Sequence, residues 1–280
     1  VSARAEVTPS VPNRGRRVLA HPLVPVGALL AACVLARVPA LINHRGVHSD
    51  AAIVGLQAMH ILDGEWSWFL WGAGYQASFD ALLIALAFAI TGPSTLTLMV
   101  VPLIGHLILV GLVYDLLRRA VSWRCALIAC LPLVFAPQSI NGVALYAPRQ
   151  WSITAVILAA WLAGCSLGRR HAWLWLAGSA FFAGVAVYLD LFTMVMIPGV
   201  ALLALWCAGP TTWPTTWPTT ERKPLMAVRA WLPELLRTAQ RLGGLLAGAA
   251  LGGAIVLWSQ AQPVFDDRKA ELLPERFEAN

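Results

Sequence analysis

ALLIALAFAIT, residues 81–91, is the stretch on which the reading of this sequence turns. Longer apolar runs surround it, near 22–42, 96–117, 125–141, 151–167, 172–189, 191–208 and 242–259. Each of these approaches the roughly twenty residues a helix needs to cross a bilayer, whereas the 81–91 run has the length of an interfacial or re-entrant segment. If it does not cross, Arg118, Arg119 and Arg124, the pair Arg169 and Arg170, and the cluster from Arg222 to Arg241 all share the side of the N-terminal arm. Fourteen of the twenty basic residues then lie on one face. If it does cross, every later loop changes side and only eight remain there. Basic residues concentrate on the cytoplasmic side of membrane proteins, so seven crossings are predicted, with the N-terminus in the cytoplasm.

Composition agrees with lipid as the main solvent. The chain is 59% hydrophobic and 12% charged, against about a quarter charged in a soluble domain. Lipid offers no partner to backbone polar groups, and no period-2 alternation marks a barrel, so the expected class is all-α and polytopic. The net charge of +6 is spread over short clusters between apolar runs, which reads as membrane topology and excludes nucleic acid as a partner. Cys33, Cys125, Cys130, Cys165 and Cys207 lie inside apolar runs without a CxxC pair, which removes disulfide-framework and zinc readings.

The expected organisation is a cytoplasmic arm over 1–20, a transmembrane domain over 21–260 and an outer-face tail over 261–280, read as a truncated end. Within the domain, 43–95 forms the first outer loop and 209–241 a cytoplasmic linker containing the repeat TTWPTTWPTT. Trp66, Trp68 and Trp71 crowd the outer loop, and Trp123, Trp151, Trp206 and Trp258 sit at proposed helix ends as an interfacial belt. The run 172–208 is too long for one crossing and folds into a hairpin whose turn carries Asp190, expected to be solvated, with a place facing an outer-side cavity as the lesser alternative.

The outer loop holds Asp50, Asp63, Glu65 and Asp80, the densest acidic content outside the tail. Ser49 and Asp50 precede the amphipathic stretch 51–62, which Asp63-Gly64 stops, so a short surface helix with Asp50 at its N-terminus is predicted.

The stretch HSDAAIVGLQAMHILDGEWSWFLWGAGYQASFDALLIALAFAITGPSTLTLMVVPL, residues 48–103, resembles the first outer loop of GT-C glycosyltransferases. The resemblance is to the group containing protein O-mannosyltransferases, the lipid A aminoarabinose transferase and the RgtA/B/C/D-like membrane proteins. Asp50 at the helix start, the stop at Gly64, Gly74-Tyr75-Gln76 and 89–94 (AITGPS) carry it. Ala51 stands where many relatives have Glu, which leaves a second acid at that position without support.

The resemblance implies a polyprenyl-phosphate-linked sugar donor, a lipid, glycan or protein acceptor, and an inverting displacement at the outer face of the bacterial inner membrane. It implies Asp50 as the base for the acceptor hydroxyl. A carboxylate at a water–lipid boundary is suited to that role. The leaving phosphate calls for a cation, and among the outer-face basic residues, counted as Arg37, Arg45, Arg149 and the tail, Arg149 is the first choice. His48 and Arg45 follow, with His44 behind them. Asp80, Tyr75, Gln76 and Gln150 are the candidates for the acceptor or substrate cavity. No metal ligand set is assigned and no cofactor is required, although a divalent metal stays compatible.

Each residue also has a plain structural reading. Asp50 and Asp80 read as helix caps, Arg149 as a snorkelling anchor, and His106 as an interhelical hydrogen bond. Two other functions compete: a transporter or flippase, disfavoured because the acids sit at the boundary and no half-to-half repeat is visible, and a non-catalytic remnant of the family.

Overall fold

The computed structural model describes residues 23–43, 47–210 and 224–261. The arm, His44, Arg45, the linker repeat and the tail lie outside the described residues, and with them the expectations placed there.

The described residues are helical almost throughout. In order come α1 (Leu23–Ile42), α2 (Ser49–Leu62), a two-stranded hairpin of β1 (Phe69–Leu70) and β2 (Ala73–Ala77), α3 (Phe79–Thr91) and α4 (Thr95–Ala120). Then follow α5 (Trp123–Val134), α6 (Gln138–Leu145), α7 (Gln150–Cys165), α8 (Ala172–Leu189), a 3-10 turn (Leu191–Met196), α9 (Ile197–Ala208) and α10 (Pro224–Gln260). Among the described residues, five segments are long and apolar enough to cross a membrane: Val24–Ile42, Thr95–Ala120, Ala172–Leu189, Leu191–Ala208 and Leu232–Gln260. The other two expected crossings are shorter than their apolar runs, since α5 ends at Val134 and α7 at Cys165. Outward-facing Ile90, Val195, Leu202 and Trp206 are more than two-thirds exposed, an arrangement suited to lipid and unsuited to water. The protein is an all-α, multi-pass membrane protein.

Helix directions follow from who touches whom. Gly105 on α4 meets Gln150 and Trp151 at the start of α7, and Asp115 accepts from Trp161 Nε1 at 2.8 Å near the end of α7, so α4 and α7 run parallel. Added Cβ atoms on Gly244, Gly248 and Gly252 would collide with backbone at Trp173, Ala177 and Phe181, respectively. Helices α8 and α10 therefore also run parallel, with backbones touching along a small-residue seam of the kind that brings helices together in lipid.

These contacts sort the loops into two groups. Phe79 edges Trp151, Tyr75 edges Phe192, and Trp68 edges Trp258, which gathers the first loop, the start of α7, the end of α8 and the end of α10 at one end. Arg169 lies over Trp175 near the start of α8, and Arg241 donates to the Gly209 carbonyl at 3.0 Å, at the other. Thr91 at the end of α3 bonds the Thr97 hydroxyl at 3.0 Å in the first turn of α4. Both ends of α3 are thus tied to elements of the first group.

The first loop has its own core. Val54, Ala58, Leu70, Ala81, Ile84 and Phe88 pack with Leu98, Val101 and Ala147. Gln57 fastens the hairpin to α2, donating to the Phe69 carbonyl at 3.0 Å and accepting from Trp71 N at 3.2 Å.

Arg37, counted above among outer-face cations, is interior instead, only 1% exposed. It donates to the carbonyls of Leu133 and Val134 at 3.0 and 3.1 Å, at the end of α5, and lies 3.1 Å from His106. A cation at a helix C-terminus meets orphan carbonyls and the negative end of the helix dipole. His106 also reaches the Leu133 carbonyl at 3.1 Å, so the two residues join α1, α4 and α5.

Candidate functional site

The open end of the α7–α8 hairpin brings together residues far apart in sequence. Asp190 ends α8 and is 2% exposed, not solvated as its turn position suggested. Its backbone pairs with that of Gln76 in an antiparallel bridge. This pairing replaces solvent at the turn and explains the burial. Three donors converge on the Asp190 carboxylate: Phe192 N at 3.0 Å, Gln76 Nε2 at 3.0 Å, and Arg149 Nε in a 3.5 Å ion pair.

Arg149 caps α7 in a left-handed conformation, φ 107° and ψ −25°. Such a conformation in a residue with a Cβ costs about 1–3 kcal/mol and persists where surroundings impose it, commonly at functional sites. The guanidinium lies 5.3 Å from the centre of the Phe192 ring, with the side chain 45% exposed. Its Nε faces Asp190, which leaves the two Nη groups as a fork for an anion. The snorkelling reading omits this anchorage.

Asp80 enters the same neighbourhood from α3. Ser78 occupies the N-cap position, so Asp80 sits in the first turn rather than at the cap. It is buried, and its Oδ1 has no hydrogen-bond partner. Burial first, and the nearby Asp190 carboxylate second, push its pKa up to about 7. A carboxyl poised there takes up or releases a proton near neutrality.

The remaining candidates are placed differently. Tyr75 is 41% exposed with its ring 5.2 Å from Phe192, at the rim of the cluster. Gln150 turns inward, 1% exposed, with its amide on the Thr154 hydroxyl at 3.1 Å. His48 is the cap of α2, its Nδ1 accepting from Asp50 N at 3.4 Å, so the capping role suggested for Asp50 belongs to His48. The Asp50 side chain is 63% exposed and lies 3.9 Å from His48 Nδ1. Its described polar contacts are with Ser49 and His48, and none reaches Arg149 or Asp190. Arg45 lies outside the described residues. Among the described residues, no group of three or more His, Cys, Asp or Glu side chains is placed to hold a metal.

The profile of the family described as dolichyl-phosphate-mannose-protein mannosyltransferase matches residues 78–236. The chain belongs to this family. It is thereby a membrane glycosyltransferase of the GT-C type. No curated protein and no solved structure matches the chain. The matched stretch of this mannosyltransferase family contains Asp80, Arg149 and Asp190 and begins after Asp50.

Asp190 is the residue that sequence reasoning ranks too low, with solvent as its first reading and the outer cavity as the lesser one. A signal was present, for it is the only charged residue between His171 and Gly209. An isolated acid within so long an apolar stretch is a functional candidate by default.

Proposed function

We propose that the protein transfers a sugar from a polyprenyl-phosphate-linked donor to a lipid, glycan or protein acceptor at the outer face of a bacterial inner membrane, by inverting displacement. The supporting observation is Arg149, held at the bundle end by Asp190 with two Nη groups left for phosphate. The acceptor oxygen forms its bond to the anomeric carbon as the bond from that carbon to the phosphate oxygen breaks on the opposite side. The bonding pair leaves with the lipid phosphate, whose charge Arg149 offsets by charge-assisted hydrogen bonds. The hydroxyl proton passes to a carboxylate, which the family resemblance assigns to Asp50.

A specific observation supports a second base. Asp80 is buried, lacks a partner at Oδ1 and titrates near neutrality, whereas Asp50 stands exposed. On this alternative Asp80 takes the proton, and Asp50 serves at the entrance.

The orientation proposed places the cluster of Arg149 and Asp190 outside, with the Arg118/Arg119, Arg169/Arg170 and Arg237/Arg241 end in the cytoplasm together with the N-terminus. The net-positive end is then the inner one. The test is transfer of radiolabelled sugar from a short-chain polyprenyl-phosphate donor by the purified full chain in lipid. Transfer that requires the lipid phosphate supports the proposal. A wild type that transfers nothing from a panel of such donors overturns it in favour of a non-catalytic member.

A further inference from the structure

The bundle end away from Asp190 carries a cavity of about 560 Å³, lined by Arg169, Arg170, Trp173, Arg237, Gln240 and Arg241. Two elements build it. The turn between α7 and α8 brings Arg169 and Arg170, and α10 brings Arg237, Gln240 and Arg241 alongside. The glycine seam fixes their register, since Gly244 abuts the Trp173 backbone one turn beyond Arg241.

The charge in this cleft is poorly compensated. Glu234 reaches Arg237 at 3.2 Å and Arg241 at 3.8 Å, and among the described residues no other carboxylate pairs with the four arginines of the cleft. Asp115, on α4, is already held by Arg118, Arg119 and Trp161. Arg170 is exposed and has no carboxylate partner among the described residues. The 211–223 segment contributes one acid and two bases by sequence, so it adds no net negative charge.

Position narrows the ligand. Helix α8 has 18 residues and joins the cleft to Asp190, a span of about 27 Å at 1.5 Å per residue. The hydrocarbon core of a bilayer is about 30 Å thick. With Asp190 at one boundary, the cleft stands at the headgroup level of the other. Apolar side chains continue from it along the outside of the bundle, with Leu174 on α8 and Leu242 and Leu246 on α10 all exposed. A ligand matching both features has a phosphate at one end and hydrocarbon at the other.

We propose that this cleft binds the phosphate headgroup of an anionic phospholipid, with the acyl chains along the exposed leucines of α8 and α10. Basic pockets between transmembrane helices suit such headgroups, and guanidiniums engage phosphate oxygens two at a time. The bound lipid bridges α8 to α10 and so braces the helix that presents Asp190. The site rests on the multi-pass fold alone and is independent of which carboxylate serves as base.

The experiment is thermal unfolding of the full chain in uncharged detergent, with short-chain phosphatidylglycerol, short-chain phosphatidylcholine or inorganic phosphate added, at low and high salt. Phosphatidylglycerol raises the Tm, salt weakens the effect, and phosphatidylcholine leaves the Tm unchanged. Arg170→Gln with Arg237→Gln weakens the apparent phosphatidylglycerol affinity roughly tenfold or more. Arg124→Gln, a basic residue outside the cleft stacked on Trp123, keeps it. Arg170→Gln alone changes an exposed side chain and serves if the double variant does not fold. Equal shifts from phosphatidylcholine, or equal losses in the Arg124 and Arg170 variants, overturn the proposal. A full shift from inorganic phosphate alone makes the ligand a soluble phosphate and overturns the lipid assignment.

Discussion

Arg149 Nε and Asp190 Oδ2 face each other at 3.5 Å across the open end of the α7–α8 hairpin, with Gln76 Nε2 on the same Asp190 oxygen at 3.0 Å. One carboxylate thus orients the cation and also repels the charge of Asp80. Asp190→Asn should have two effects with different signatures. Sugar transfer falls because Arg149 loses its counter-charge. The titration of Asp80 moves to lower pH because the neighbouring negative charge is gone. Transfer assays read the first, and the pH dependence of thermal stability in wild type and variant reads the second whichever carboxylate is the base. A loss of activity with an unmoved pH dependence of stability would make Asp190 a structural tie only.

Arg149→Ala should lower transfer efficiency by roughly one to two orders of magnitude, since a charge-assisted hydrogen bond contributes about 1.5–3 kcal/mol. Arg149→Lys should retain part of the activity, because an ammonium supplies the charge without the fork. The loss should be the same for every acceptor, since the contact belongs to the donor. Near-normal transfer by the Ala variant, with monodispersity unchanged, would leave His48 as the next candidate for the phosphate.

The identity of the base is decided by comparing two variants. The raised pKa of Asp80 means the folded state favours its protonated form. That stabilisation is complete below about pH 4, the ordinary carboxylate range, and is lost as pH rises toward about 7. If Asp80 is the base, transfer rises with pH through about 7, and Asp80→Asn abolishes it. The same variant removes the fall in thermal stability between about pH 4 and about pH 7 whichever carboxylate accepts the proton. If Asp50 is the base, Asp50→Asn abolishes transfer, leaves insertion intact, and Asp80→Asn retains activity. Full activity of the Asp50 variant would end the role implied by the family resemblance.

Short-range chemistry was readable from sequence, and long-range meeting was not. The stop of α2 at Asp63-Gly64 follows from local signals, and Gly64 indeed adopts φ 90°. The β1–β2 hairpin was invisible because Gln57, on another element, holds it in place. Arg149 stands out in the sequence because outer-face cations are few, Asp80 because the first loop is rich in acids, and Gln76 through the family resemblance. Their convergence on Asp190 depends on a backbone bridge between residues 76 and 190, which no window of sequence contains. Arg37 was misplaced for a related reason: its partners are the carbonyls ending α5, remote in the chain.

The close approach of α8 and α10 predicts a sharp size limit at Gly248. A Cβ there would collide with the Ala177 carbonyl oxygen, with backbone rather than a flexible side chain in the way. Gly248→Val should lower the Tm substantially, since overpacking by even small groups costs about 1–3 kcal/mol and here two helices must separate. Gly253, which has open space around its added Cβ, should accept Ala with little effect. Equal tolerance at both positions would mean that the seam does not hold the helices together.

The sidedness of the bundle decides where the chemistry occurs. Glu65 belongs to the loop gathered with Arg149 and Asp190, and Arg170 to the opposite end; both are exposed. The two ends are separated by the 18 residues of α8, about one hydrocarbon thickness. Cysteines at Glu65 and Arg170, each in a background with the five native cysteines replaced, should therefore never label from the same side. With the basic end in the cytoplasm, an impermeant maleimide added to intact cells or right-side-out vesicles should modify the cysteine at 65 directly. The one at 170 should react only after permeabilisation. Labelling of both without permeabilisation would mean that α3 crosses, and the reverse pattern would put Arg149 and Asp190 in the cytoplasm and exclude a donor presented from the outer face.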